Sequence, residues 1–90
     1  MSKPNKAERD YIGRVKQLDC ICCDATGPSI AHHIMVGSGT SQRAGNYLTV
    51  PLCLECHVGP FSIHITPRQF KAVYGDELSW LNKAIGLLNA

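Results

Sequence analysis

Two cysteine pairs, Cys20-x-x-Cys23 and Cys53-x-x-Cys56, are the most pointed chemical feature of this chain. Each pair is a knuckle, and two knuckles supply four thiolates with the bite a tetrahedral Zn²⁺ requires. The intervening stretch, 24–52, is long, so a shared ion would tie two distant segments together. Other readings of the same residues are one knuckle plus unrelated thiols, or a redox pair. Cys22 is left over. It can replace Cys23 in a tighter Cys-x-Cys bite, or it is a buried or free thiol.

Four histidines accompany the cysteines: His32, His33, His57 and His64. His32 and His33 are adjacent in a stretch that reads as a strand. Neighbouring strand residues point to opposite faces, so one imidazole can bind a metal while the other faces a substrate. His57 directly follows Cys56, so whatever fixes Cys56 also fixes His57. His64 lies seven residues further on, about two helical turns, and shares that face if a helix persists. A single histidine is most simply a core or surface residue. The joint arrangement, a His-His pair and a downstream Cys-x-x-Cys-His, points to a reaction centre.

These residues need elements to position them. Residues 7–18 read as a short amphipathic helix, with Tyr11, Val15 and Leu18 on one face and Gly13 weakening it. Residues 29–35 and 47–52 read as two strands, joined by a Gly/Ser-rich loop over 36–46. Gly37, Gly39 and Gly45 make no nucleotide-binding motif there, because no helix follows. Residues 53–64 should hold a turn and a short helix, which Gly59-Pro60 would delay or interrupt. Thr66-Pro67 is a helix start, and that helix should stop at Gly75. Asp76 can cap a last helix over 77–88, with Leu78, Leu81, Ile85 and Leu88 as its apolar stripe. Phe61, Ile63, Phe70, Val73 and Tyr74 are expected in the core, and Trp80 on the inner face of the last helix. The class is therefore α+β.

The chain has 90 residues, one domain at most, and too small for a generous core without a metal or disulfides. No apolar run approaches the roughly 20 residues of a membrane helix. The N-terminal stretch MSKPNKAERD lacks an apolar signal region, so an intracellular, cytoplasmic protein with reduced thiols is expected. The net charge of +2 is too small to identify a nucleic-acid partner. Lys3, Lys6, Arg9, Arg14 and Lys16 crowd the first sixteen residues. They form either a solvated helix face or a phosphate-contacting arm.

Residues 20–75 resemble the treble-clef ββα-metal nucleases, the HNH superfamily. Within it, AHHIMVGSG (31–39), VPLCLECH (50–57), VGPFSIH (58–64) and TPRQFKAVYG (66–75) are similar to the phage recombination-enhancement, RecA-dependent nucleases. The resemblance implies a small zinc-stapled treble-clef domain over 20–90, flanked by an N-terminal helix and carrying C-terminal helices. Residues 1–19 would be a basic tail and short helix. It implies that His32 and His57 hold a catalytic metal and that His33 is the general base activating water. Asn46 would orient that base across the hairpin. His64 would be a further ligand or a phosphate contact. It implies DNA as substrate, a RecA-like recombinase filament as partner, and a phage or prophage origin within the bacterial cytoplasm.

The side chains suit phosphodiester hydrolysis. A neutral imidazole can take a proton from water near neutral pH. A divalent cation can stabilise the developing charge and the departing 3′ oxygen. Imidazole ligands suit Zn²⁺, Ni²⁺ or Mn²⁺, whereas Mg²⁺ prefers oxygen ligands, so such a site would hold Zn²⁺ at rest and work with Mg²⁺ or Mn²⁺. Arg43 or Arg68 can hold the scissile phosphate, or each is a solvated surface residue. The competing reading is a non-catalytic zinc module that binds DNA or protein. That module would need the cysteines but could dispense with His33.

Overall fold

In the computed structural model, the described residues are 4–35 and 45–89. They form four helices and a two-stranded sheet, in the order α1 (Lys6–Lys16), β1 (Ile30–His33), β2 (Thr49–Leu52), α2 (Leu54–Val58), α3 (Pro67–Tyr74) and α4 (Glu77–Leu88). Residues 36–44, which include Gly37, Gly39 and Arg43, lie outside the described residues.

Helix α1 starts at a capping box. The Asn5 side chain accepts from the Glu8 backbone N–H at 2.8 Å, and the Glu8 carboxylate accepts from the Asn5 N–H at 2.8 Å. Each bond satisfies a donor that the helix end would leave orphaned. Ser29 then ties the exit of α1 to the entry of β1. Its N–H donates to Lys16 O and its hydroxyl to Leu18 O, both at 2.7 Å.

The strands pair antiparallel, with His32 opposite Val50 and His33 opposite Thr49. Every residue of β2 is buried, because α1 and α4 both pack against that strand. Pro51 has no N–H to give the ladder, which a two-stranded ribbon tolerates. Its carbonyl accepts from the Ile21 N–H at 2.9 Å, which seats the first cysteine knuckle on the sheet.

The core runs from this sheet to the C-terminal helices. Phe70 is fully buried, with its ring 5.8 Å from Trp80 and 4.7 Å from Tyr74. Trp80 is buried and donates its indole N–H to Tyr74 O at 2.8 Å. Phe70→Ala is expected to cost about 3–5 kcal/mol, since truncation removes buried ring surface and leaves a cavity. Urea unfolding of the protein checks this. A loss under about 1 kcal/mol would show that the surroundings collapse into the gap.

The packing departs from three expectations of the sequence. The buried face of α4 is Glu77, Trp80, Leu81 and Ala84, whereas Leu78 and Ile85 are exposed. Phe61 and Val73 are also exposed, so only Ile63, Phe70 and Trp80 of the expected aromatic and aliphatic set are deeply buried. Thr66 holds the N-cap position of α3 but does not cap it with its side chain. Its hydroxyl oxygen instead accepts from the Ser62 N–H at 3.0 Å, closing the turn between α2 and α3.

Candidate functional site

The two cysteine pairs meet. Cys20, Cys23, Cys53 and Cys56 bring their four sulfurs within 4.8 Å of one another. The first pair sits in a turn closed by Asp24 N–H to Cys20 O at 3.0 Å and Cys20 N–H to Ala25 O at 2.9 Å. Asp24 takes a left-handed backbone, φ 64°, which Asp tolerates better than most residues. The second pair opens α2. Cys53 is its N-cap, and the Cys53 sulfur accepts from the Cys56 N–H at 3.4 Å. The Cys23 and Cys53 sulfurs lie 3.6 Å apart. Zn–S bonds of about 2.3 Å put the sulfurs of a tetrahedral site about 3.8 Å apart, so the cage has the right size.

The electrostatics of the cage also call for a cation. Burial works against a Cys20 thiolate, but backbone hydrogen bonds of Cys23, Cys53 and Cys22 outweigh it and bring this thiol down to about 7. Burial and the neighbouring cysteines push the Cys56 thiol strongly up. Four thiolates this close cannot all ionise unless positive charge sits between them. Cys22 does not join the group. Burial first, and then the other cysteines, push its thiol up to about 12, where it is inert. All five cysteines are free of disulfides.

A second cluster stands at the other end of α2. His32, His57 and His64 bring one ring nitrogen each within 4.8 Å of one another. Their ring centroids are 4.6–5.3 Å apart. The Nε2 atoms of His57 and His64 are 3.1 Å apart. Zn–N bonds of about 2.0–2.1 Å separate tetrahedral nitrogen ligands by about 3.3–3.4 Å, so these two rings face a common point at ligand spacing. Burial, then the nearby His64 and His32, lower the pKa of His57. Its ring therefore favours the neutral, metal-binding form.

His64 reaches this cluster by a route other than the expected one. No helix persists to it, since α2 ends at Val58. The chain instead doubles back, with Ile63 N–H donating to Cys56 O at 2.9 Å and His64 N–H to His57 O at 3.3 Å. Gly59 permits the fold-back. A Cβ there would meet Glu55 O at 2.6 Å, closer than real atoms approach.

The two strand histidines diverge as the pleat demands. His32 is 3 % exposed, and its Nε2–H donates to the Glu77 carboxylate at 2.7 Å. That leaves Nδ1 as the nitrogen able to bind an ion. His33 is half-buried, and its Nε2–H donates to Asn46 Oδ1 at 3.0 Å. Its Nδ1 is thereby left as a proton acceptor. Asn46 lies in the turn before β2, where its carbonyl accepts from the Thr49 hydroxyl at 3.4 Å. Arg68 is exposed on the first turn of α3. Arg43 lies outside the described residues.

Glu77 is the site residue that sequence reasoning misses. An acid in the first turn of a helix normally complements the helix dipole, so nothing in its local sequence marks it. Yet it is 2 % exposed and bonded to His32 from 45 positions away. Burial works against its charge, but the hydrogen bonds from His32 and the Met35 backbone prevail and hold its carboxyl below the ordinary range.

No described helix is long and apolar enough to cross a membrane. A family model described as a protein of unknown function (DUF968) matches residues 1–88, and the chain belongs to that family. No curated protein and no solved structure matches the chain.

Proposed function

We propose that this member of the DUF968 family is a metal-dependent endonuclease of the HNH type, with a treble-clef ββα fold, that hydrolyses DNA phosphodiester bonds. One observation carries the reading. Two neighbouring imidazoles on β1 stand in different surroundings, His32 beside His57 and His64, and His33 hydrogen-bonded to Asn46. A zinc module that only binds would have no need of the second arrangement.

His32, His57 and His64 would hold the divalent cation, Zn²⁺, Mn²⁺ or Mg²⁺. When bound, it supplies positive charge for the scissile phosphate and the departing 3′ oxygen. His33 takes a proton from the attacking water at Nδ1, because its Nε2–H is committed to Asn46. Asn46 fixes both the tautomer and the tilt of that ring. Arg68, exposed on the first turn of α3, would offer its guanidinium to a phosphate oxygen. The four cysteines hold a structural zinc that keeps Cys56, and with it His57, in place. The reading extends to a RecA-like recombinase filament as partner and to a phage-derived role in the bacterial cytoplasm.

Supercoiled plasmid, incubated with the protein and Mn²⁺ or Mg²⁺, is expected to become nicked or linear. The His57→Ala/His64→Ala double variant should leave it supercoiled. Elemental analysis should find two ions per wild-type chain and one per variant chain. Equal trace cutting by both proteins, with one zinc in each, would overturn the proposal in favour of the non-catalytic zinc module.

A further inference from the structure

We infer that Glu77 is a positioning residue for the three-histidine cluster: its carboxylate holds His32 as the Nε2–H tautomer, so that Nδ1 is turned to the cation. The inference rests on the reading of His32, His57 and His64 as a metal site. Three observations carry it. Glu77 Oε2 accepts from His32 Nε2 at 2.7 Å, and both side chains are buried to within 3 % of completely. Glu77 Oε1 accepts from the Met35 backbone N–H at 3.2 Å, so one carboxylate fixes the ring and the chain just beyond β1. Glu77 is also absent from the set of side chains that converge on the ion position, so it acts through His32 rather than as a ligand.

The chemistry explains why an acid is buried here at all. A buried carboxylate is costly unless its oxygens are hydrogen-bonded, and here both are. A metal-bound imidazole almost always donates its other N–H to such an acceptor, which sets the ring orientation and raises its basicity. Glu77 opens α4 under the Asp76 cap, whose carboxylate accepts from the Ser79 N–H at 2.8 Å. The C-terminal helix is thereby joined to the metal site. The last helix then contributes to metal affinity as well as to the core.

The test measures zinc affinity and ring tautomer in wild type, Glu77→Gln and Glu77→Leu. Cobalt bound at the four cysteines gives a sulfur charge-transfer band that reports an intact knuckle in each protein. Zinc affinity at the histidine site should fall about tenfold in Glu77→Gln, which keeps one acceptor. It should fall up to about 100-fold in Glu77→Leu, which keeps none. Long-range ¹H–¹⁵N spectra should show His32 as the Nε2–H tautomer in wild type and a mixture in Glu77→Leu. Unchanged affinity and an unchanged His32 tautomer in Glu77→Leu, with the cobalt band intact, would overturn the inference. If the wild-type histidines bind none of Zn²⁺, Mn²⁺ and Mg²⁺, the endonuclease reading fails by itself. The tautomer spectra then decide the role of Glu77 alone: loss of the Nε2–H form supports it, and retention ends it.

Discussion

Stripping the zinc proposed for the four-cysteine cage is expected to abolish cooperative unfolding of the whole chain. A structural zinc contributes on the order of 10 kcal/mol of apparent folding free energy, while a small domain has a net stability of only about 5–15 kcal/mol. The cage joins the α1–β1 turn to the β2–α2 turn, so its loss frees both entrances to the sheet. Four thiols crowded within 4.8 Å would then repel any second thiolate, which adds a penalty to the metal-free fold. Far-ultraviolet circular dichroism with a zinc-release dye should show helix loss in step with zinc release as chelator is added. Cys22→Ser should behave as wild type, because that sulfur is outside the cage. A chelated protein that still melts cooperatively near the wild-type temperature would show that the hydrophobic core suffices alone.

The sequence made the cage legible because ligand spacing within each knuckle is a local property. Cys-x-x-Cys fixes the bite of each pair, and a single tetrahedral ion can take both pairs. His57 was equally legible, being one residue from a fixed cysteine. His64 joins the cluster by a path that helical spacing does not describe: Gly59 ends the helix, and backbone bonds to Cys56 and His57 bring the chain back. Spacing gave the right neighbour, while the path depended on a turn that helical periodicity does not describe. The α4 stripe holds at Leu81 and, half-buried, at Leu88, and it misses elsewhere for a related reason. Counting apolar residues selected Leu78 and Ile85, but the helix is rotated to bury Glu77, Trp80, Leu81 and Ala84. A hydrogen bond to His32 pulls a charged residue inward, and no scale of residue hydrophobicity contains that pairing. Long-range polar partners such as Glu77–His32 are set by tertiary packing, so they become visible only once the strands and α4 are assembled.

His33→Ala is expected to lower the rate of plasmid cutting by about 10²–10⁴-fold, the usual contribution of a positioned general base. The substitution removes a half-buried ring and one hydrogen bond, that to Asn46 at 3.0 Å. It leaves the cysteine cage and the three histidine nitrogens untouched, so two ions per chain should remain. Folding should change little, since the ring is partly open to solvent and its loss leaves no sealed cavity. Asn46→Ala should have a smaller effect of the same kind. It leaves the base in place but frees its tautomer and tilt, and His33 then spends part of its time with a proton where it should accept one. The ordering His33→Ala below Asn46→Ala below wild type, at equal metal content, is what the proton-acceptor role requires. Single-turnover rates on nicked-circle formation read it directly, because they exclude product release. A His33→Ala protein that cuts within threefold of wild type would remove His33 from the chemistry. The water would then have to lose its proton to another group, and the division of labour between the two β1 imidazoles would lose its functional meaning.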